Sequence, residues 1–269
     1  MQRFLLSSTL ALALAGPALL AQKQPAPKSK AEAEALQSLF SAMDPDARIK
    51  AAENLLTKFA DTDFKGLALY IEAASYQQKN DYENMIVYAE RAIQADPKQY
   101  PAELMLAKGI AQRAREFDLD KEEKLARAEK YAKEGMDLAK DAPKPNPQIT
   151  DDQWTQAKNE YLAQGHEALG YSARVRKNYD VAVAEMKQAL ELAPDPVTMV
   201  QLAVTYDQTH KPDEAIPILE KVMAMPDVDS RVKQFAQAER VRAIQLKSGG
   251  AKPPAPASTA PPQVEIKKQ

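Results

Sequence analysis

The chain has 269 residues, of which 45% are hydrophobic and 28% charged, so it has enough apolar residues for a packed core. Its 36 lysines and arginines nearly balance 38 aspartates and glutamates, and the net charge of -2 gives no electrostatic basis for nucleic-acid binding. Cysteine is absent, which excludes disulfides, thiolate metal sites, a cysteine nucleophile and a lipidated cysteine. The 8 glycines are too few to favour phosphate-binding loops or turn-rich β structure.

The first 21 residues have the three-part layout of a secretory signal peptide. A weakly positive start precedes an apolar run over 4–15, and small residues end the segment at Ala21. We therefore expect cleavage after Ala21 and a periplasmic or secreted bacterial protein, with no integral membrane segment after cleavage. The alternative is an N-terminal membrane anchor over 4–21, which Gly16-Pro17 would interrupt.

Two further segments are predicted to be disordered. Residues 22–30 form a short lead-in with two prolines, and the tail at 248–269 is rich in proline and alanine after Gly249-Gly250. Such segments favour extended, solvated conformations and bury little surface. A docking role for the tail is the alternative, although no PxxP pattern with a flanking arginine supports it.

Between these segments, residues 31–248 have apolar residues at spacings of three and four with short polar turns, which predicts one helix after another. No stretch shows the sustained alternation of a strand. The predicted helices span 31–42, 45–59, 63–79, 82–95, 100–116, 121–140, 151–176, 179–192, 197–209, 212–224 and 229–247.

The helical region repeats with a period near 34 residues. Thirty-four residues separate Ala73 from Ala107, and 33 separate Gly170 from Ala203. A small residue recurs on each helix, where neighbouring helices must approach closely. The small residues assigned to repeat packing are Ala73, Ala92, Ala107, Gly170, Ala182, Ala189, Ala203 and Ala215, and the prolines that close helix pairs are Pro97 and Pro194.

This pattern resembles the tetratricopeptide repeat (TPR) family over roughly 63–227. The resemblance implies an all-α fold, an α-solenoid of about four helix-turn-helix repeats. Residues 31–60 are then a degenerate repeat or N-terminal cap, and 229–247 a C-terminal capping helix with Val232, Phe235, Ala238, Val241 and Ile244 on its apolar side. No repeat has the family's tryptophan, and the residues in its place are Leu69, Glu103, His166 and Met199, of which Glu103 fits worst.

Two insertions interrupt the period. The spacing from Ala107 to Gly170 is 63 residues, and the excess falls near 116–124 and 141–160. The second insertion combines a proline-rich loop with the start of a helix at Thr150. Insertions in a solenoid lie on one rim, where function is often added.

No catalytic, cofactor-binding or metal-binding residue is predicted. The two histidines are too few for a histidine-rich metal site or a histidine-based triad, so we interpret His166 as packed and His210 as solvated. The carboxylates at 118–129 partly match the spacing of a calcium loop, but Glu123 stands where that loop requires glycine. We interpret Asp118, Asp120, Glu122 and Glu129 as a solvated acidic turn.

Trp154, Ala157 and Tyr161 share one helix face by their spacing. Their ordinary role is to cover the neighbouring helix pair. The alternative is an aromatic ligand platform, which would make the protein a small-molecule binder or an enzyme that uses the 141–165 insertion.

The TPR resemblance implies a non-enzymatic protein–protein interaction scaffold, placed here in the bacterial cell envelope, that binds a protein or peptide in a concave groove. Alternatives are an envelope-assembly or cell-division coordinator and a structural spacer between envelope layers. The partner's identity and the oligomeric state stay open, and no cofactor is expected. The groove candidates, taken from the family's register, are Tyr70, Ala74, Gln77, Leu104, Lys108, Gln112, Glu167, Tyr171, Arg174, Val200, Val204 and Asp207.

Overall fold

The computed structural model of the protein describes residues 25–249, so the predicted signal peptide and nearly all of the predicted tail lie outside the described residues. The described residues form eleven α-helices and contain no strand, which confirms the predicted all-α class of consecutive helix pairs. The helices are α1 (Lys30–Ser41), α2 (Pro45–Lys58), α3 (Lys65–Gln78), α4 (Tyr82–Ala95), α5 (Tyr100–Arg113), α6 (Lys121–Asp141), α7 (Asp151–Val175), α8 (Tyr179–Leu192), α9 (Pro196–Gln208), α10 (Pro212–Ala224) and α11 (Ser230–Lys247).

Short polar side chains fix several helix starts. Asp44 accepts a hydrogen bond of 3.0 Å from the backbone N–H of Ala47 ahead of α2, and Asp195 accepts one of 2.9 Å ahead of α9. Both helices begin with proline, whose fixed φ suits the first helical position. Thr150 and Gln153 form a reciprocal capping box at the start of α7. Each cap contributes about 0.5–2 kcal/mol to helix stability.

Three helix pairs share the same turn between their two helices. Asn80, Lys177 and His210 each follow a helix with a left-handed backbone, at φ 60°, 63° and 56°. In each turn the next residue donates its backbone N–H to the carbonyl five positions earlier, at 2.9 Å. This is the helix-ending motif that usually has glycine at the left-handed position. The repeat is therefore visible in the backbone as well as in the sequence.

The chain divides into two compact units, and the first comprises the described residues 25–102. In this unit α1 packs on α2, α2 on α3 and α3 on α4. Leu39 and Leu55 are among its fully buried side chains. Gly66 is required by close packing, because a Cβ there would lie 2.6 Å from the Cβ of Asp96. Near the other end of the α3–α4 pair, Tyr76 stacks on Tyr88 with ring centroids 5.0 Å apart.

The second unit comprises residues 103–249, from the first turn of α5 through α11. Successive helices from α6 to α11 pack on one another, and α11 also packs on α9. Gly170 allows the α7–α8 approach, because a Cβ there would lie 2.9 Å from Met186 Cγ. Gly165 plays the same part between α7 and α6, where a Cβ would overlap Met136 Cγ. All eight residues assigned to repeat packing are buried, in unit one or unit two.

The structure differs from the sequence prediction at two helices. α5 ends at Arg113 instead of residue 116, because Asp118 accepts the backbone N–H of Arg115 and closes a turn there. The buried face of α11 consists of Val232, Ala236, Glu239 and Ala243.

The predicted apolar side of α11 was therefore wrong at three of its five residues, whereas Val232 is buried as predicted. Val241 and Ile244 are 45% and 41% exposed, and Ala238 is exposed as well. The error arises because a charged residue predicts an exposed position. Glu239 is the one charged residue of the buried face, so the sequence pattern placed this face in solvent.

The two insertions lie in unit two. The first corresponds to the loop between α5 and α6, where Phe117 and Leu119 are exposed. The second lengthens a helical pair, because α6 has 21 residues and α7 has 25, whereas α8, α9 and α10 have 13 or 14. Trp154 is buried in this extension, and the ammonium of Lys158 lies 6.0 Å from the centre of its ring. The tryptophan is thus part of the packing in the extended pair.

Candidate functional site

The groove candidates of unit two lie on α5, α7 and α9, each of which is the first helix of its pair. We call the surface that these three helices form the first-helix surface. Contacts join the three helices: a Cβ on Gly165 of α7 would meet Leu104 of α5, and Glu167 of α7 meets Thr198 of α9. Packing against neighbouring helices, which for α9 include α11, buries half of the twelve candidates. The buried ones are Leu104, Glu167, Tyr171, Val200, Val204 and Asp207.

The prediction that these six residues form an open contact surface is therefore wrong, because the structure buries them. They lie on the first helices, as the register predicted, but the face that they share is covered by neighbouring helices, including α11 in the case of Asp207. Tyr171, expected to be an aromatic anchor, is 1% exposed. The half-buried candidates of unit two are Lys108, Gln112 and Arg174, and those of unit one are Tyr70, Ala74 and Gln77.

A chain of polar contacts links the three first helices. Lys108 on α5 forms an ion pair with Glu167 on α7, and the other oxygen of Glu167 accepts a hydrogen bond from the hydroxyl of Thr198 on α9. That hydroxyl also lies 3.0 Å from Asp195. Burial by itself lowers the pKa of Lys108, but the charges of Glu167 and Asp195 outweigh it and hold the pKa above its usual value. Lys108 is therefore a permanent cation in this cluster.

Tyr171 lies beside this ion pair with its hydroxyl buried. Burial raises its pKa to about 12, and the charge of Glu167 acts in the same direction. The phenol is consequently neutral at physiological pH and cannot act as a base there. The cluster is suited to joining helices.

Several carboxylates are buried without a hydrogen-bond partner among the described residues. Both oxygens of Glu72 in unit one and both oxygens of Asp207 in unit two are of this kind, as is one oxygen of Glu103. Burial raises the pKa of Glu72 and of Glu103 to about 7. Burial, followed by the charge of Glu239, raises the pKa of Asp207 to about 6. The sequence analysis did not predict these buried carboxylates, although it noted that Glu103 fits poorly in the place of the family's tryptophan.

An open cleft of about 90 Å³ lies at the carboxyl-terminal ends of the three first helices. Gln112 and Arg115 border it from the end of α5, Arg174 from α7 and Gln208 from the last turn of α9. Lys177 also borders the cleft, but its ammonium forms an ion pair of 2.5 Å with Glu116.

Arg174 differs from the other cations of the cleft. Its Nε is buried and has no hydrogen-bond partner among the described residues. Burial lowers the pKa of its guanidinium; the nearby phenols of Tyr171 and Tyr179 partly offset this, and the positive charge of Arg115 adds to it. Arg115 is itself engaged, since its guanidinium donates a hydrogen bond of 3.0 Å to the carbonyl of Gln112. The register had included Arg174 and Gln112 in the groove, but it gave no signal for Gln208.

The remaining candidates for chemistry have structural contacts. Asp118 and Asp120 form ion pairs with Lys124 at 3.0 and 2.8 Å, whereas Glu122 and Glu129 both contact Arg176. His166 Nδ1 lies 2.7 Å from Glu185, which joins α7 to α8, and His210 is exposed in its left-handed turn. Within residues 25–249, no group of three or more histidine, aspartate or glutamate side chains is arranged to hold a metal ion.

None of the helices in the described part of the chain combines the length and the apolar composition that crossing a membrane requires.

Comparisons with known proteins support the repeat assignment. Residues 68–99 match the family model described as tetratricopeptide repeat. A thermophilic TPR protein of Thermus thermophilus has a similar structure, with a TM-score of 0.54, 19% sequence identity, and coverage of 78% of this chain and 99% of that one. The assembly chaperone of RpL4, Acl4, is a more distant likeness with a TM-score of 0.45 and 14% identity, covering 81% of this chain and 98% of that one. No curated protein sequence matches this chain.

TPR folds generally mediate protein–protein interactions, and proteins built from them are typically non-enzymatic scaffolds. The resemblance inferred from the small residues and the period of 34 is borne out by a family-model match that covers α4 and most of α3. The matched repeat at 68–99 supports the resemblance to the tetratricopeptide repeat family, and the structural likeness to the Thermus thermophilus protein shows that the two proteins share an all-helical fold.

Proposed function

We propose that the protein is a binding scaffold that holds a segment of another protein at the cleft formed by the carboxyl-terminal ends of the first helices of unit two. The observation that carries this proposal is the set of unmet polar groups at the cleft. Arg174 Nε and Gln208 Oε1 are both buried without a hydrogen-bond partner in the described chain. A buried polar group in this state costs about 1–3 kcal/mol, and a bound segment that supplies the missing partners recovers that cost.

The charged groups on the helices of unit two support a scaffold over an enzyme. Lys108 is paired with Glu167 and His166 with Glu185, so these groups join helices and are not directed together at one reacting position. Catalysis requires convergent groups around such a position. The alternative site in the 141–165 insertion is disfavoured because Trp154, its proposed platform, is only 8% exposed.

The sequence of residues 1–21 supports export, so we place this scaffold in the periplasm or outside the cell. An uncleaved N-terminal anchor is the alternative, and coordination of envelope assembly or cell division is one process that such a scaffold could serve. Cell fractionation and intact mass test the location. A mature chain that starts near Gln22 in the soluble fraction supports export with cleavage, whereas retained Met1 in the membrane pellet overturns cleavage.

Site-specific cross-linking tests the binding surface. A photoreactive amino acid replaces Gln112 or Gln208 at the cleft, and the matched control carries it at Gln188, an exposed glutamine on α8. We expect one defined protein to cross-link at the two cleft positions and not at Gln188. That protein is then identified by mass spectrometry and its affinity for the purified chain is measured.

The result that overturns the proposal is equally specific. If the identified protein cross-links equally at Gln188, or binds the purified chain with the same affinity when Gln112 and Gln208 are both changed to alanine, then the cleft is not the binding site.

A further inference from the structure

Three charged side chains meet where α11 packs on α9. Asp207, on the first-helix surface, is 2% exposed, and Glu239 of α11 is 3% exposed. Arg242, one turn after Glu239 on the same helix, is the cation of the group, and its guanidinium lies 3.6 Å from the carboxylate of Glu239. The group therefore has two acids and one base, and it carries a net negative charge when both acids are ionised.

The hydrogen bonds of this group are incomplete. Both oxygens of Asp207, Oε2 of Glu239 and Nε of Arg242 are buried without a hydrogen-bond partner among the described residues. An ionised carboxylate that is buried in this way has lost its hydration without a replacement, which is costly. A protonated carboxyl avoids most of that cost, so the closed contact between α9 and α11 favours a bound proton.

The charges that act on Asp207 come from α11. Burial is the main cause that raises the pKa of Asp207 to about 6, the charge of Glu239 adds to it, and the charge of Arg242 opposes it. Burial also raises the pKa of Glu239, again against the effect of Arg242. His210, in the turn after α9, is exposed. The charged groups that α8 and α10 direct at these helices have other contacts: Lys187 of α8 lies over the ring of Tyr206, Asp213 of α10 pairs with Lys247, and Glu220 of α10 pairs with Arg240.

We propose that these three side chains form a proton-dependent clasp between α9 and α11, which is tight when Asp207 carries a proton and loosens when Asp207 and Glu239 are both ionised. α11 is the last helix of the described chain, and within that part of the chain it packs on α10 and α9. It can therefore open while the preceding helices stay folded, and pH sets how often the covered end of α9 becomes accessible. The inference is independent of the proposed binding cleft, whose lining does not include the three residues of the clasp.

The direction of the pH effect follows from the loss of a proton on opening. In the closed state the pKa of Asp207 is about 6, whereas in the opened state it returns towards its ordinary value of 3.8. The closed clasp is therefore most stable at low pH and is weakened as pH rises through about 6. We expect the equilibrium constant for opening of α11 to rise about tenfold from pH 5 to pH 7 and to level off above that.

Hydrogen exchange of the full chain, followed by mass spectrometry between pH 5 and pH 8, measures this constant. The backbone amides of α11 report its opening after correction for the pH dependence of intrinsic exchange, and the amides of α8 report opening of the preceding repeats. We expect the α11 amides to be less protected than those of α8 and to lose protection from pH 5 to pH 7. Equal protection of α11 and α8 at every pH, or an opening constant of α11 that does not rise over this range, overturns the inference.

Asp207→Asn removes the titrating acid and keeps the shape of the side chain. In this variant α11 should open less at pH 7 than in the wild type, and its opening constant should rise at most about twofold from pH 5 to pH 7. Asp213→Asn is the matched control, because it also removes an acid that faces α11 but one whose side chain is 70% exposed. The control should keep the wild-type pH response. A wild-type response in Asp207→Asn, or a lost response in Asp213→Asn, contradicts the clasp.

Glu239→Gln gives a second test that does not depend on the folding of Asp207→Asn. Arg242 then faces a single carboxylate, so the pKa of Asp207 should fall and the midpoint of the α11 pH response should move below that of the wild type. Far-UV circular dichroism checks that the helices of the variant are intact. An unchanged midpoint in the folded variant shows that the two acids are not coupled across α9 and α11, and it overturns the inference.

Discussion

Lys108 on α5 and Glu167 on α7 form an ion pair in which the glutamate side chain is 4% exposed and the lysine side chain 25% exposed. Glu167 uses its second oxygen to accept the hydroxyl of Thr198 on α9, so one carboxylate holds three first helices. A buried pair of this kind adds little net stability, because desolvation offsets the attraction. Its consequence is alignment, since the pair forms only when α5, α7 and α9 have the observed register.

The ion pair predicts a non-additive mutational response. Lys108→Met leaves Glu167 as a buried charge without its cation, so we expect the free energy of unfolding to fall by about 3 kcal/mol. Adding Glu167→Gln should recover most of that loss, because the amide oxygen can still accept from Thr198. Urea unfolding of the single and double variants measures the difference. Lys133→Met, at an exposed lysine of α6, should change stability by less than about 0.5 kcal/mol, and equal losses in the single and double variants would contradict the model.

The buried carboxylates predict that the protein becomes more stable on mild acidification. The pKa values of Glu72 and Glu103 are raised to about 7 and that of Asp207 to about 6, above the ordinary values of unfolded chains. The folded state therefore binds more protons than the unfolded state between about pH 4.5 and 7, and stability falls as pH rises through that window. We expect a higher melting temperature at pH 6 than at pH 8.

Glu72→Gln isolates the contribution of one group. The variant removes a buried charge of unit one, so at pH 8 its free energy of unfolding should exceed that of the wild type by up to about 3 kcal/mol. Its melting temperature at pH 8 should therefore be higher as well. The advantage should shrink as pH falls to 5. Glu83→Gln, at an exposed glutamate of α4, is the control. An unchanged difference between variant and wild type from pH 8 to pH 5 would show that Glu72 does not titrate in this window.

The helices could be predicted from the sequence because their signals are local. A closing proline such as Pro194 and the small residues at positions such as Ala189 act within one helix pair, and the same spacing recurs in the next pair. The end of α5 was missed because it depends on a single hydrogen bond from Arg115 to Asp118. Weak local signals of this kind do not stand out in a helical pattern.

The candidate site was predicted less well because it depends on contacts between helices. The register assigned Tyr171 to an open face, whereas α7 packs that face towards its neighbours and leaves it 1% exposed. Arg174 stands out because its Nε is buried without a hydrogen-bond partner among the described residues, which only the folded chain reveals. Asp207 and Glu239 are charged residues at buried positions, and a pattern read from polarity places such residues in solvent.

The left-handed turns predict a stabilising substitution. His210 has φ 56° and is exposed in the turn between α9 and α10. Glycine adopts this conformation without the steric cost that a Cβ imposes, so His210→Gly should raise the free energy of unfolding by about 0.5–1 kcal/mol. Thr209→Gly, at the preceding residue with φ -100°, should instead lower it. Thermal unfolding of the two variants gives the comparison, and equal effects of both would contradict the turn geometry.

Because α8 packs closely on its neighbours, the same alanine-to-leucine change should have different effects on stability at a buried and at an exposed position of this helix. Ala189 is 1% exposed on α8, so Ala189→Leu must insert a larger side chain into a filled contact and should lower stability by about 1–3 kcal/mol. Ala184 lies on the exposed side of the same helix, and Ala184→Leu should change stability by less than about 0.5 kcal/mol. Both variants carry the same substitution and nearly the same change in helix propensity, so the difference in their urea midpoints isolates packing. If Ala189→Leu is as stable as Ala184→Leu, the small residue at this position is not what brings the repeats together.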